Sequence, residues 1–400
     1  MAVAGIIAEF NPFHRGHRWQ LETLRGLLGE DTAVVTAMSG NFVQRGDMAV
    51  FSKTARCEMA LRGGADLVLE LPTPWAAATA ERFAQGGVAL LAAAGVVTHL
   101  AFGSECADLR KLQAAAECLD SEDCQQRLRE LLKSGVTFAA ARQQAVRDLA
   151  GDAAECMDAP NDNLGIEYLR ALRRLPEARR IEPVALPRIG AAHDSGELGD
   201  YPSASAIRRE LLVGRDWEAF VPETTAEIIR REMEAGRGPV SMERCEQAVL
   251  AVLRCRDEEL IRRCDGGGEG LYRRFCEAVR RGSSVEEILE QTKTKRYTLA
   301  RLRRLLLHSY LGITPAPQGA TPPYLRVLGA DGQGRALLRQ MEESALLPVI
   351  TKPGHVRRLG GETERIFDQE SACTDLYVLG CPDWRSARPG QDYAASPVML

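Results

Sequence analysis

Residues 3–17 read VAGIIAEFNPFHRGH. The run Val3 to Ala8 is short, apolar and uncharged, as a strand buried on both faces requires. An amphipathic stretch from His17 to Leu28 then reads as a helix. The loop between such a strand and helix sits at the ligand edge of a parallel sheet. There, unpaired N–H groups and the positive dipole end of a helix starting near Gly16 favour a phosphate. Gly16 lets a ligand approach the backbone, and His14 and His17 add two donors able to carry positive charge. Such donors suit the charge that builds on an α-phosphate as pyrophosphate leaves. Taken without its flanks, H-x-G-H reads equally well as two surface histidines.

The same alternation continues over the first ~190 residues. Strands are predicted at Thr32–Met38, Leu67–Leu71, His99–Phe102 and Ile181–Ala185, with helices at Thr54–Arg62, Glu81–Ala94 and Leu164–Arg173. The predicted fold is α/β, a Rossmann-like parallel sheet with helices on both faces, followed by a mainly helical C-terminal domain. The expected division is 1–215 for nucleotide binding and catalysis and 216–400 for the helical part. In the second part, helices are predicted at Ala248–Asp257, Tyr272–Arg281, Val285–Gln291 and Tyr297–Tyr310, with possible strands at Tyr324–Leu328 and Asp375–Leu379.

Composition narrows the classes of function. The chain has 400 residues, 45% hydrophobic and 26% charged, enough for two or three domains with real cores. No apolar run approaches the ~20 residues that cross a bilayer, and the N-terminus lacks signal-peptide features, so a cytoplasmic protein without a membrane partner is expected. Eleven cysteines without a C-x-x-C pair predict free thiols in a reducing compartment and no metal centre. A net charge of -4 argues against attraction to nucleic acid over the whole surface, and no DNA partner is expected. Neither a G-x-x-x-x-G-K-[ST] loop nor a G-x-G-x-x-G turn after a strand is present, which counts against P-loop hydrolases and dinucleotide oxidoreductases.

Further motifs fall at the same predicted edge. YPSASAIR, Tyr201–Arg208, opens a helix with Ser203, Ser205 and Arg208 placed to hold β- and γ-phosphates; a capped helix with a solvated arginine is the alternative. Asn41, Gln44 and Arg45 in SGNFVQRG are candidate substrate contacts, and Gly103 in FGSE offers backbone for an adenine or ribose. From Gln291 to Tyr310 no acidic residue interrupts a basic run. Lys293, Lys295, Arg296, Arg301, Arg303 and Arg304 suit contact with a nucleic-acid phosphate backbone, with Tyr297 able to stack on a base and Leu299, Leu302, Leu305 and Leu306 seating the helix; a solvated basic face fits the run equally well.

AEFNPFHRGH, the long string MSGNFVQRGDMAVFSKTARCEMALRGGADLVLELP, FGSE, PNDNLGIEYL, LPRIGAAHD and PSASAIR occur in that order. Together with KTKRYTLARLRRLLL and TPPYLRVLG they resemble the bacterial tRNA(Met) cytidine acetate ligases of the HIGH-motif, nucleotidyltransferase-like superfamily, over essentially the whole chain. The resemblance implies an ATP site built from Ile7, Ala8, Glu9, Phe10, Asn11, Pro12, Phe13, His14, Arg15, Gly16, His17, Arg18, Trp19 and Gln20, with Gly103, Asn161 and Arg188. It leaves open which of Asn161 and Asn163 touches ATP. It also implies a reaction: acetate and ATP give acetyl-adenylate, and the acetyl group passes to N4 of the wobble cytidine of elongator tRNA(Met). Mg2+ is expected with ATP, without an assigned ligand. Two other readings stand beside it: transfer of AMP to a small phosphorylated metabolite, which the N-terminal half alone fits equally well, and a non-catalytic, nucleotide-responsive RNA-binding protein, which the intact pair His14 and His17 disfavours.

Overall fold

The computed structural model describes residues 1–188 and 202–400. The strands of these residues are, in chain order, β1 Val3–Ala8, β2 Ala33–Ser39, β3 Phe42–Val43, β4 Asp47–Met48, β5 Leu67–Leu71, β6 His99–Ser104, β7 Glu182–Pro187, β8 Leu325–Ala330, β9 Val349–Ile350 and β10 Val398–Met399. Eight form one sheet, ordered β10-β8-β5-β2-β1-β6-β7 with β9 beside β8; β3 and β4 form an antiparallel ribbon. Every pairing in the large sheet is parallel except that of β5 with β8. Five of its strands come from residues 1–215 and three from residues 216–400.

Side chains of β1 alternate between two cores, as a pleated strand dictates. Val3 and Ile7 pack with Val88 and Leu91 of the helix Ala80–Ala93, whereas Ala4 and Ile6 pack with Leu21 and Leu24 of the helix Arg15–Leu28. The chain steps outward from β1 through β2 to β5, then returns to lay β6 on the other side of β1. The loops leaving the carboxyl ends of β1 and β6 therefore depart in opposite directions, and a crevice opens between them.

Residues 109–150, which lack the alternating signature, form the helices Leu109–Asp120, Glu122–Lys133 and Phe138–Ala150. In the second half, the helices Glu246–Cys255, Leu271–Arg281, Val285–Thr292 and Leu299–Leu311 enclose a third core. The strand expected at Tyr324–Leu328 is β8. Asp375–Leu379 is not a strand: it ends the helix Gly361–Tyr377 and enters the turn Val378–Gly380, because Cys373, Tyr377 and Val378 bury at helical spacing. Leu299 is exposed, while Leu302, Leu305 and Leu306 seat their helix. The eleven cysteines are free thiols. Among the described residues no helix is long and apolar enough to cross a membrane.

A buried charge network ties the C-terminal segment to the sheet. Lys53 Nζ lies 2.6 Å from Glu70 and 2.8 Å from Asp392, and Arg326 meets the same two carboxylates at 2.9 and 3.0 Å. Glu370 lies 3.8 Å from Lys53 and accepts from the Thr73 N–H and hydroxyl at 2.7 and 2.8 Å. Burial and the neighbouring Glu70 push the Glu370 carboxyl up to about 7, which lessens the excess of negative charge where three acids share two cations. At Asp392, Lys53 and Arg326 outweigh the effect of burial and hold the carboxyl at about 2.

The Glu370 shift makes a prediction. A group whose folded pKa exceeds its ordinary 4.5 binds its proton more tightly in the fold than in the unfolded chain. Its contribution is full below the ordinary value and is lost as pH rises through about 7. Through this group, stability measured by urea unfolding should fall from pH 5 to pH 8, and the difference between the wild-type and Glu370→Gln profiles should show that decline. Glutamine keeps both contacts to Thr73 if the threonine hydroxyl reverses to accept.

Candidate active site

A cavity of about 360 Å³ opens at the carboxyl ends of β1 and β6, within the range of small-molecule sites. The chain leaves β1 through Phe10, held at φ 45° with its ring buried. For a bulky residue that conformation costs about 1–3 kcal/mol and persists only where packing fixes it. Here the packing is the Phe10 ring edge-on to Phe13 at 5.0 Å and to His17 at 4.9 Å.

His14 is the N-cap of the helix Arg15–Leu28. Its Nδ1 accepts from the Gly16 N–H at 3.0 Å, and the His17 Nδ1 accepts from the His14 N–H at 3.2 Å, closing a capping box. The two rings stack with centroids 3.8 Å apart. A neutral imidazole whose Nδ1 accepts carries its proton on Nε2, so the tautomer of each ring is set. Burial, then the positive potential of His14 and Arg188, lowers the His17 pKa well below 6.5.

These facts correct the expectation of open helix amides beside cationic histidines. The Gly16 N–H is taken by His14 Nδ1, and the His17 and Arg18 N–H groups bond to the His14 carbonyl at 2.9 and 3.2 Å. The ring proton that remains at His17 is an Nε2–H on a neutral imidazole, not a cation. Gly16 is required for a different reason than close ligand approach: a Cβ there would lie 2.9 Å from His14 Cε1. Gly16→Ala should displace the His14 ring and lower turnover by about 10–100-fold, the scale of a misplaced group, with little change in the urea midpoint. Initial rates and an unfolding curve on the same preparation test this.

Of the expected nucleotide segment, Ile7, Ala8, Glu9, Phe10, Asn11, His14, Gly16, His17, Trp19 and Gln20 line the cavity. Pro12, Phe13, Arg15 and Arg18 do not. Pro12 is buried and Phe13 packs against Gly63, while Arg15 is exposed and Arg18 pairs with Glu22 at 2.8 Å. Helical geometry turns Arg15 and Arg18 away from the edge that His14 and His17 occupy. Gly103, Asn161 and Arg188 complete the wall, the Arg188 stem crossing over Gly103. Asn161 is held by Glu105, whose other oxygen accepts from the Asp162 N–H at 3.0 Å. Asn163 bonds instead to the Met157 and Ala159 carbonyls, so Asn161 is the one facing the cavity.

Ser203, Ser205 and Arg208 line the opposite side. Ser203 Oγ caps its helix by accepting from the Ala206 N–H at 3.2 Å, which directs that hydroxyl toward the backbone. Arg208 donates to the Asn11 carbonyl and to Ser205 Oγ, both at 3.0 Å. Tyr201 and Ala192 of the quoted motifs lie outside the described residues. Gln44 and Arg45 line the cavity, but Asn41 is buried, accepting from the Lys53 N–H at 2.8 Å. Cys106, Cys156 and Asp162 stand at metal-ligand spacing just past the end of β6, yet the Asp162 oxygens already accept from Ser104 Oγ and from the Glu105 and Cys106 N–H groups.

The family model of the HIGH nucleotidyl transferases matches residues 1–392. A tRNA(Met) cytidine acetate ligase of Syntrophomonas wolfei is 36% identical over 416 residues, covering 100% of this chain and 99% of that one. The chain belongs to the tRNA(Met) cytidine acetate ligase family. It is accordingly a ligase of the HIGH nucleotidyl transferase type. The crystal structure of apo TmcAL from Thermotoga maritima superposes with a TM-score of 0.93 at 33% identity, covering 100% of both chains. The same protein bound with alpha-thio ATP gives a TM-score of 0.92.

Several residues at this family member's site escape sequence reasoning. Arg56 is fully buried and donates to the Phe51, Glu9, Ser39 and Gly40 carbonyls, clamping the ends of β1 and β2. Phe83 and Tyr168 enter from helices whose apolar spacing marks them only as core. Arg303, which the sequence reads only as one cation of the basic run, reaches the cavity from the helix Leu299–Leu311 of the second half.

The basic segment divides on inspection. Lys293, Lys295 and Arg296 are exposed on the loop before that helix, Arg296 pairing with Glu269 at 3.0 Å. Arg301 covers the Tyr297 ring at 4.9 Å and donates to the Gly266 carbonyl, so Tyr297 already carries a cation on its face. Arg304 is corrected: its Nε lies 2.6 Å from the buried Asp265, and it braces the bundle instead of facing solvent.

Proposed function

We propose that the chain joins acetate to ATP in this cavity, giving acetyl-adenylate and pyrophosphate, and then transfers the acetyl group to N4 of the wobble cytidine of elongator tRNA(Met). The observation that carries this reading is the stacked His14–His17 pair at the switch point of the sheet, with both Nδ1 atoms occupied by backbone N–H groups. Such a pair offers hydrogen-bond donors and no nucleophile. Attack by a carboxylate on the α-phosphorus needs just that: donors where negative charge accumulates, and cations for the departing pyrophosphate. Arg188 and Arg208 are the cations, and the acyl-adenylate is itself the activated species. Mg2+ enters as part of the nucleotide substrate, bound chiefly by its phosphates. Residues 216–400 hold the tRNA, with Lys293, Lys295 and Arg296 as its backbone contacts, and the reaction takes place in the cytoplasm.

ATP–pyrophosphate exchange measured with and without acetate, followed by transfer of labelled acetate to tRNA, tests the reading. Exchange that ignores acetate, with AMP appearing on a phosphorylated metabolite, overturns it. Charge reversal at Lys295 and Arg296 should weaken tRNA binding and reduce its salt dependence while sparing exchange. Arg304→Glu should instead unfold the bundle, because it places two carboxylates together in a buried site.

A further inference from the structure

The acyl-transfer step needs a base that the histidines do not supply. A cytosine amine is a weak nucleophile and must lose a proton as its nitrogen bonds to the acetyl carbon. Each imidazole presents Nε2–H, and each Nδ1 lone pair is already taken by a backbone N–H.

Among the described residues, two carboxylates line the cavity, Glu9 and Asp47. Glu9 stands at the end of β1 within the nucleotide segment, with Oε1 accepting from the Gln44 N–H at 2.7 Å. Asp47 stands on β4, where the ribbon meets the helical half. Gly46, at φ 80°, is so close to the helix Leu299–Leu311 that a Cβ would lie 2.4 Å from the Arg304 nitrogen. Asp47 Oδ1 accepts from the Met48 N–H at 2.8 Å, and Oδ2 has no hydrogen-bond partner among the described residues. Asp47 therefore lies at the seam between the phosphate wall, through Arg208, and the bundle, through Arg303. Given the tRNA-binding role proposed above for the helical half, this seam is where a base held by that half would enter the cavity.

We infer that Asp47 is the general base of acetyl transfer. Its carboxylate takes one N4 proton as the amine nitrogen bonds to the acetyl carbon; the acyl C–O bond breaks, its electron pair leaves with AMP, and Asp47 later releases the proton to water. This assignment rests on the acetyl-transfer reading above. The electrostatics support it. Burial raises the Asp47 pKa, the Met48 N–H, Arg303 and Arg208 pull it down, Glu243 adds to the rise, and the net direction is upward. A carboxylate so placed is a stronger base once ionised.

Single-turnover acetate transfer to tRNA, beside acetate-dependent exchange, tests the assignment in the full-length enzyme. Asp47→Asn should slow transfer by about 10²-fold or more and exchange by less than about three-fold. The wild-type transfer rate should fall on the acid side of its pH profile, a limb that Asp47→Asn loses and Asp47→Glu recovers. Equal loss of exchange and transfer overturns the assignment in favour of a structural role. A transfer-specific defect in Glu9→Gln that Asp47→Asn lacks moves the role to Glu9. Wild-type protein that exchanges with acetate yet never labels N4 refutes the transfer reaction itself, and this base with it.

Discussion

Replacing His17 with glutamine lowers acetate-dependent ATP–pyrophosphate exchange by about 10²–10³-fold, the loss typical of one donor aimed at developing charge. Glutamine is the informative substitution because His17 is the third residue of a capping box, a position where Gln also reaches back to the N-cap amide. The helix start is retained while the stacked Nε2–H is lost. At His14, asparagine serves the same purpose: it still caps the helix, whereas alanine removes the cap and costs about 1 kcal/mol of stability as well. Urea midpoints of both variants should stay near the wild-type value, so the rate loss reports on chemistry. Because His17 is held neutral, its titration contributes no loss of exchange between pH 6.5 and 8. A steep decline over that interval, absent from His17→Gln, would show that the imidazolium is the working form.

Lys53→Met has the largest expected effect on stability, about 3–5 kcal/mol, because it leaves buried carboxylates without their shared cation. Lys53 lies within 2.8 Å of both Glu70 and Asp392, and Arg326 alone cannot balance these two and Glu370. A loss of that size approaches the whole stability of many domains, and the variant should lose soluble yield and shift strongly to lower urea. The damage should begin at the edge of the sheet, since the network joins β5 and β8 to the C-terminal segment around Asp392. Restoring solubility with Glu70→Gln in the Lys53→Met background would confirm that unpaired charge, not lost packing, causes the defect. No rescue would point to the lysine stem.

Much of the fold was legible because its signals are local. β1 and β5 lie at the residues predicted, and the first helix starts two residues early because His14 caps it. The helices of residues 109–150 interrupt the strand–helix alternation on which the reading of the first half rested, although Leu112, Ala115, Ala116 and Leu119 bury at helical spacing. Asp375–Leu379 misled because a short apolar run at the end of a buried helix matches a short buried strand.

By itself, the sequence determined the five sheet strands of the first half, the place of the histidine pair after β1, and the family, since each depends on residue order over short stretches; that β8, β9 and β10 of the second half complete the same sheet came only with the fold. Tertiary structure alone decided which of those residues face the cavity. It turned Arg15 and Arg18 outward, folded Arg304 onto Asp265, brought Arg303 and Asp47 to one wall, and buried Lys53 among acids from both ends of the chain. The reason is electrostatic as much as steric: a charge written in the sequence acquires its role from the partner that folding brings within reach, and those partners lie up to 339 residues away.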